Sequence, residues 1–449
     1  MKINLFLGAA VIALLAASTA VSPARADEAA AAPAADAPAA DAPPAAWADT
    51  LKFSAQFELG YSHNLASGHS SGDIDFGHLF DDTADRFMFD QMLLTATRPL
   101  DTTATDYDVG FKLQAMYGSD ARYTRFTHEF VSATDNNKEQ FDIVEANLLL
   151  HTPWLSDGGV DLKLGQYSTP LGAETIDPST NYFYSHSYIF NYGIPLKHSG
   201  ILATWHVDPL VDLYASIDTG VNTQFENGLA HANNGGPPAF IVGVGLNLMD
   251  GNLTILGLSH VGTEIPKAAI ANGLLPSTVS VNTAYRELND IVTTWKVDDK
   301  LTLINELNWI HDDVLDNGGP ADGYGVAFYS LYALDDTLSL NGRAEIFDDT
   351  KNVFVSQSGN NVDFLRGEEG LPALSAATVT GGPIGKSTTY GELTIGVTYK
   401  PAIDGVPALS SLLIRPELRE DFVLNGSTPF NGGKDKSATI IAVDALIAF

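Results

Sequence analysis

The sequence predicts an all-β fold, a transmembrane antiparallel β-barrel of about sixteen strands. Three observations predict it: a leader typical of exported proteins, repeated segments of about ten residues in which apolar and polar side chains alternate, and connections that alternate between short and long. No stretch after the leader reaches the ~20 continuous apolar residues of a membrane helix. A chain that crosses a membrane without such helices must cross it as a closed barrel.

The first 48 residues are predicted to lie outside the barrel. Residues 1–26 have the basic start, apolar core and small-residue end of a signal peptide, and we expect cleavage after Ala26. Residues 27–48 consist mostly of Ala, Pro and Asp, a composition that favours extended, disordered chain. We interpret this segment as a periplasmic tail, either a spacer for export or a contact with the cell wall. The barrel then comprises residues 49–449.

The first barrel strand begins abruptly at Leu51, where apolar residues start to alternate with polar ones as far as Ser62. The same alternation recurs in residues 109–117 and 338–346. Because successive side chains of a strand point to opposite faces, such segments are typical of a wall with lipid outside and water inside. The predicted strands are 50–64, 85–98, 106–119, 140–153, 159–167, 199–207, 211–222, 239–249, 251–262, 284–297, 299–312, 323–334, 336–348, 389–400, 411–424 and 437–449.

The connections between these strands indicate which way the barrel faces. Short turns are predicted at 208–210, 250–251, 298–299 and 335–336, and the intervening loops, among them 65–84 and 313–322, are longer. Outer-membrane barrels keep short turns in the periplasm and long loops outside, so both termini are expected in the periplasm. The last strand ends at Phe449, and a terminal aromatic residue on an alternating strand resembles the signal that the barrel insertion machinery recognises.

The connection from about residue 168 to 198 is long and rich in aromatic residues, so we expect an ordered loop at or in the lumen. The motifs around it, and one near the C-terminus, resemble those of the OmpL-like putative outer-membrane beta-barrel porin family. The resemblance covers the chain from about residue 50 onward and implies a porin in the outer membrane of a Gram-negative bacterium, in contact with lipid and lipopolysaccharide. The matching motifs are 161–167 (DLKLGQY), 169–174 (TPLGAE), 181–188 (NYFYSHSY), 193–200 (GIPLKHSG) and 412–419 (LLIRPELR).

Charged side chains on the inner faces of the predicted strands are candidates for lining the lumen. In a porin such charges decide which ions enter. The alternative is that they pair with one another and hold the barrel wall together, which we expect for over half of them. The candidates are Lys112, Glu145, Lys163, Asp218, Glu306, Arg343, Glu345, Glu392, Arg415, Glu417 and Arg419.

The long loop supplies the candidates for the narrowest part of the pore. Its acidic and basic groups are expected to act on passing ions, whereas its tyrosines either stack against sugar rings or pack the loop onto the barrel wall. Packing is the favoured role for the tyrosines. The candidates are Glu174, Asp177, Tyr182, Tyr184, Tyr188 and Lys197.

Several function classes are excluded or disfavoured. The chain has no cysteine, so disulfides and thiolate chemistry are impossible, and its net charge of −31 repels nucleic acid. No nucleophile elbow marks a hydrolase, and the histidines are scattered singly, so we expect neither an enzyme nor a cofactor or metal. The acidic stretch 73–85 has no calcium-loop pattern and is expected to be a solvated outer loop.

The expected function is an outer-membrane porin for the passive diffusion of small hydrophilic solutes. Acidic residues outnumber basic ones by 55 to 24, so a preference for cations is expected. The alternative is a non-conducting barrel that serves adhesion or tethers the envelope. A homo-oligomer is compatible with either function, but the sequence assigns no subunit interface.

Overall fold

The computed structural model describes most of the predicted barrel. The predicted signal peptide and nearly all of the predicted tail lie outside the described residues. The structure begins with a short 3-10 helix at Trp47–Thr50. The indole N–H of Trp47 donates a hydrogen bond to the Val109 carbonyl at 3.2 Å. The described residues are 47–66, 74–101, 104–126, 129–130, 138–221, 223, 237–264, 270–273, 277–280, 282–316, 319–355, 385–403, 406 and 408–449.

Sixteen strands form the wall, with bounds close to the predicted ones. They are β1 (Lys52–Asn64), β2 (Arg86–Arg98), β3 (Asp108–Gly118), β4 (Gln140–Thr152), β5 (Val160–Ser168), β6 (Lys197–Asp208), β7 (Val211–Asp218), β8 (Phe240–Leu248), β9 (Leu253–Gly262), β10 (Arg286–Lys296), β11 (Leu301–Asp316), β12 (Gly319–Ala333), β13 (Leu338–Asp349), β14 (Thr388–Tyr399), β15 (Ser411–Val423) and β16 (Ser437–Ala448). The remaining elements of the described residues are single turns: an α-helix at Ala121–Thr124, 3-10 helices at Pro178–Thr180 and Met249–Gly251, a π-helix at Ile189–Gly193 and a helical turn at Phe430–Gly433.

Each strand pairs antiparallel with the next one in the chain, and β1 pairs with β16, so the sheet closes on itself. The predicted sixteen-stranded antiparallel barrel is therefore confirmed. Gln56 lies opposite Ala448, which brings the start of β1 and the end of β16 to the same rim. This rim also carries the short connections, such as residues 209–210 between β6 and β7 and 297–300 between β10 and β11. We call it the short-turn rim, and the opposite one the long-loop rim.

One predicted connection is wrong. Residues 313–322 were expected to form a longer loop, but β11 runs to Asp316 and β12 starts at Gly319, with these two residues paired. Only Asn317 and Gly318 separate them in the sequence. Asn-Gly is the residue pair that two-residue hairpins favour, so the local turn signal outweighs the polar composition that suggested a loop.

The outer and inner faces of the barrel differ as a membrane barrel requires. Large apolar side chains such as Phe53, Phe87 and Ile395 are more than half exposed on the outer face, where lipid would cover them. Among the described residues, no helix is long and apolar enough to cross a membrane. Loop residues lie in the inner space, and the aromatic rings of Phe80 and Phe190 meet there with their centroids 5.2 Å apart.

Candidate functional site: the inward loop and the charged wall

Residues 169–196, called the inward loop below, lie inside the barrel between β5 and β6. The two ends are joined by a hydrogen bond of 2.9 Å from the Thr169 N–H to the Leu196 carbonyl. Between them the Pro178–Thr180 helix begins at Asp177, whose carboxylate caps it. The prediction that this segment lies at or in the lumen is confirmed.

The inward loop lies against six charged side chains of β13, β14 and β15, which we call the charged wall. They face inward because they alternate along their strands with outward apolar residues. All six were predicted to face the lumen, and the structure places them inside the barrel, each at most 5% exposed. The charged wall consists of Arg343, Glu345, Glu392, Arg415, Glu417 and Arg419.

Arg415 binds the loop and two neighbouring strands at once. Its guanidinium donates to the Asp444 carboxylate of β16 at 2.5 and 3.0 Å and to Glu58 of β1 at 3.2 Å. The other edge of the same group donates to the loop carbonyls of Pro178 and Asn181 at 2.8 and 2.6 Å. Only a rigid fork with several donors can make these contacts together, so lysine is no substitute here.

Two glutamates of the charged wall bind the loop backbone. Glu417 accepts the adjacent N–H groups of Tyr184 and Ser185 at 2.8 and 3.2 Å. Glu345 accepts the next such pair, from Tyr188 and Ile189, at 2.6 and 2.8 Å. Each carboxylate thus satisfies two buried donors that no neighbouring strand reaches, and hydrogen bonds to a charged group are the stronger kind.

Glu174, predicted as an acid of the constriction, is bound on both sides. Its carboxylate accepts from Arg343 at 2.7 Å and contacts the His186 ring nitrogen at 3.0 Å. Burial opposes ionisation, but Arg343 and His186 outweigh it and lower the pKa of Glu174 to about 2. The loop therefore carries a charged carboxylate whose field is largely neutralised by its partners.

Of the three predicted tyrosines, two are buried. The Tyr184 hydroxyl donates to Asp90 of β2 at 3.3 Å, and the Tyr188 hydroxyl donates to Asp421 of β15 at 2.9 Å. Tyr182 is partly exposed. These contacts favour the role in which the tyrosines pack the loop onto the wall.

Asp177 is the predicted constriction acid that solvent reaches. It is partly exposed, and its neighbours Thr175, Ser179 and Thr180 are exposed. Its carboxylate accepts from the Gln56 amide at 2.7 Å and from the Ser179 N–H at 3.0 Å. Gln56 lies toward the short-turn rim, so this face of the loop looks into the mouth on that side.

The other predicted residues lie at separate places along the wall. Lys112 approaches Glu145 at 3.8 Å and is one-third exposed, and Lys163 is partly exposed. Lys197 is buried and donates to Asp142 at 2.6 Å. Two further acids are buried elsewhere: Glu306 accepts the Ala173 N–H at 3.0 Å, and Asp218 lies between two histidines.

Sequence reasoning missed the first loop as part of this site. The expectation of a solvated acidic stretch is wrong for the described residues 74–85, most of which are buried. The Asp82 carboxylate accepts hydrogen bonds from both terminal nitrogens of Arg122 at 3.0 and 3.2 Å. The Asp81 carboxylate contacts the His78 ring at 2.8 Å. The apolar residues interleaved with the acids in this stretch were the available signal.

His78 links the first loop to the charged wall. Its second ring nitrogen contacts Asp421 at 3.0 Å, and Asp421 also binds the Arg419 guanidinium at 2.8 Å. Burial alone would lower the pKa of His78, but Asp81 and Asp421 raise it to about 10. The imidazolium therefore holds these carboxylates together at neutral pH.

We expect the barrel to lose stability at alkaline pH through His78. A raised pKa means that the contribution is complete below about pH 6.5, the ordinary value, and is lost as the pH rises toward 10. The temperature at which half of the protein changes its gel mobility should decrease in the wild type when the pH is raised from 7 to 10. This decrease should be smaller in His78→Gln. Equal pH dependence in both proteins would contradict this role.

The sequence profile of one family, putative beta-barrel porin-2, OmpL-like, matches residues 50–449. The chain belongs to this family. It is therefore an outer-membrane porin, as the motifs around the inward loop had indicated, and the family's proteins are channels rather than enzymes. No curated protein sequence matches the chain significantly.

Solved porins share the fold of this OmpL-like porin at low sequence identity. Pseudomonas putida OprB is 14% identical, with 89% of this chain and 94% of that chain covered and a TM-score of 0.53. The anion-selective porin from Comamonas acidovorans is 9% identical, covering 89% and 99%, with a TM-score of 0.52. Salmonella typhi OmpF, solved with daunomycin, is 8% identical, covering 89% and 97%, with a TM-score of 0.52. At these identities the likeness shows the fold alone.

Proposed function

We propose that this porin mediates passive diffusion of small hydrophilic solutes and prefers cations. The observation that carries the preference is the charge on the exposed face of the inward loop. Asp177 lies there, and the partners described for its carboxylate, Gln56 and Ser179, are both uncharged. A carboxylate held by neutral donors keeps its full field toward a passing ion.

The basic groups deeper inside do not oppose this field. The guanidinium groups of Arg343, Arg415 and Arg419 are buried and bound by carboxylates. The opposite charges of an arginine and its bound carboxylate largely cancel at a distance, so such a pair contributes little to the potential in open water. With a net charge of −31 on the whole chain, the surroundings of the pore are negative.

The fold does not fix ion preference. A porin of similar fold from Comamonas acidovorans is named anion-selective, so the sign must come from particular side chains. We place the passage along the exposed face of the inward loop, where Asp177 faces the short-turn rim. Lys112 and Lys163 are partly exposed interior bases and limit the preference to a weak or moderate one.

Replacing Asp177 with asparagine should reduce cation selectivity. Asparagine retains an oxygen that accepts from the Ser179 N–H, so the cap persists while one negative charge is lost. In a planar bilayer with a KCl gradient, the reversal potential of Asp177→Asn should move toward the anion side. The single variant Glu174→Gln should shift the reversal potential in the same direction by a smaller amount, because Glu174 is paired with Arg343.

Asp335→Asn is the matched control for this change. Asp335 caps a short turn by accepting the Thr337 N–H and hydroxyl at 2.8 and 2.7 Å, the same arrangement on an exposed turn. The reversal potential of the Asp335→Asn variant should equal that of the wild type. An anion-selective wild type would refute the charge argument, and an equal shift in both variants would mean that the exposed face of the loop does not border the passage.

We also propose the placement of the barrel in the envelope. Short turns and both termini would face the periplasm, with the long-loop rim outside. The C-terminal strand would present Phe449 to the insertion machinery; its ring is partly exposed and packs at right angles to the Phe57 ring, with centroids 5.8 Å apart.

A further inference from the structure

Three buried side chains of β6, β7 and β9 converge beside the base of the inward loop. The Asp218 carboxylate lies 3.6 Å from Nδ1 of His198 and 3.2 Å from Nε2 of His260. All three side chains are fully buried, and one ligand atom from each lies within 4.8 Å of the other two. Among the described residues, these three form the group of histidine and acidic side chains whose potential ligand atoms lie close enough together to hold a metal ion.

The backbone is shaped to permit this approach. Gly200 lies opposite Asp218 in the β6–β7 pair, and a Cβ on Gly200 would come within 2.6 Å of the Asp218 Cα. His198 lies on the same face of β6 as Gly200, two residues earlier. A side chain at position 200 would therefore push the carboxylate away from His198.

The contacts of the two imidazole rings are those of metal ligands, because the hydrogen bonds around the rings are incomplete. His198 Nε2 contacts the Thr169 hydroxyl at 3.0 Å, which fixes the ring and leaves Nδ1 toward Asp218. That Nδ1 is buried and has no hydrogen-bond partner. His260 faces the same carboxylate with Nε2, and its Nδ1, on the other side of the ring, is buried and has no hydrogen-bond partner either. A second contact that orients a ligating imidazole is typical of metal sites, whereas unsatisfied buried ring nitrogens are costly in a network without metal.

We propose that His198, Asp218 and His260 bind a divalent transition-metal cation of the Zn²⁺ type. Two imidazoles and one carboxylate are ligands that Zn²⁺ accepts, and ligand atoms around a tetrahedral ion stand about 3.4 Å apart, which the two Asp218 separations bracket. Hard cations such as Mg²⁺ and Ca²⁺ prefer sets made of oxygen ligands and fit these imidazoles poorly.

The ion would hold the base of the inward loop. His198 is the second residue of β6, directly after the loop, and its ring contacts Thr169 at the loop's other end. Binding therefore links both ends of the loop to β7 and β9. Its consequence is a barrel that gains heat stability with metal, and this gain is independent of ion selectivity at Asp177.

The test uses full-length, tag-free protein refolded into detergent with Co²⁺ or Zn²⁺, because a closed barrel could exclude the ion from a buried site. Bound metal is counted by elemental analysis after gel filtration, and Co²⁺ coordination is followed by its visible absorption. Folding of each variant is established by heat-modifiable gel mobility. We expect one metal per chain in the wild type, and loss of it in His260→Gln and Asp218→Asn.

His206→Gln is the matched control. His206 also lies on β6 between two carboxylates, with ring contacts of 2.6 Å to Asp212 and 3.2 Å to Asp161, but this set does not bring three ligand atoms together. It should retain the metal. Folded wild-type protein without stoichiometric metal, or equal binding by His260→Gln and His206→Gln, would overturn the site. Variants that fail to fold are replaced by His198→Gln, for which the same loss is required.

Discussion

Arg415→Met is expected to cause a large loss of barrel stability. The change leaves the carboxylates of Asp444 and Glu58 buried without their cation, and it removes the donors to the carbonyls of Pro178 and Asn181. Removing one partner of a buried ion pair costs about 3–5 kcal/mol. The midpoint of heat-modified gel mobility should fall sharply relative to the wild type.

Lys112→Met is the control for removing a positive charge from the inner face. Lys112 is one-third exposed, and its ammonium lies 3.8 Å from the Glu145 carboxylate. A contact of that kind contributes about 0–1 kcal/mol, so the midpoint should barely move. Equal midpoints for the two variants would show that Arg415 does not hold the loop to the wall.

The double substitution Glu345→Ala and Glu417→Ala should produce the largest change in conductance. These carboxylates accept four N–H groups of the inward loop, and each bond to a charged group is worth about 1.5–3 kcal/mol. Without them the loop loses four of its bonds to β13 and β15 along residues 184–189, and the bonds from Arg343, Arg419 and the Tyr188 hydroxyl remain. We expect a severalfold larger and noisier single-channel conductance, measured in a planar bilayer.

Glu420→Ala is the matched control for this pair. Glu420 lies on β15 three residues after Glu417 and bonds to Thr439 of β16 instead of to the loop. The Glu420→Ala substitution removes an acidic side chain from the same strand and should leave the conductance unchanged. A double variant that conducts like the wild type would mean that the inward loop does not limit the passage.

Most of the barrel could be predicted from the sequence because its strands obey a local rule. Alternation of polar and apolar residues depends only on neighbours two positions apart, so β1 and β13 are visible without knowledge of their partners. The residue pair Asn317-Gly318 is also a local signal in the sequence, but the polar residues around it favoured a longer loop. The inward position of Arg415 and Glu417 follows from the same alternation.

The contacts of the site could not be predicted in the same way. Arg415 meets a carbonyl 234 residues away at Asn181, and His78 meets Asp421 across 343 residues. Such pairs depend on how two loops fold into a closed barrel, which no local pattern encodes. Composition misled most strongly at Asp81 and Asp82, since acidic residues are usually solvated, whereas here His78 and Arg122 compensate their burial.

Single-channel recording of the wild-type protein in a planar bilayer tests the central claim most directly. A passive channel bordered by the inward loop should give discrete, ohmic current steps, and a KCl gradient should give a reversal potential on the cation side. Protein that is folded by the criterion of heat-modifiable mobility and yet gives no current steps would contradict the proposed diffusion function. That result would favour a non-conducting barrel for adhesion or envelope tethering.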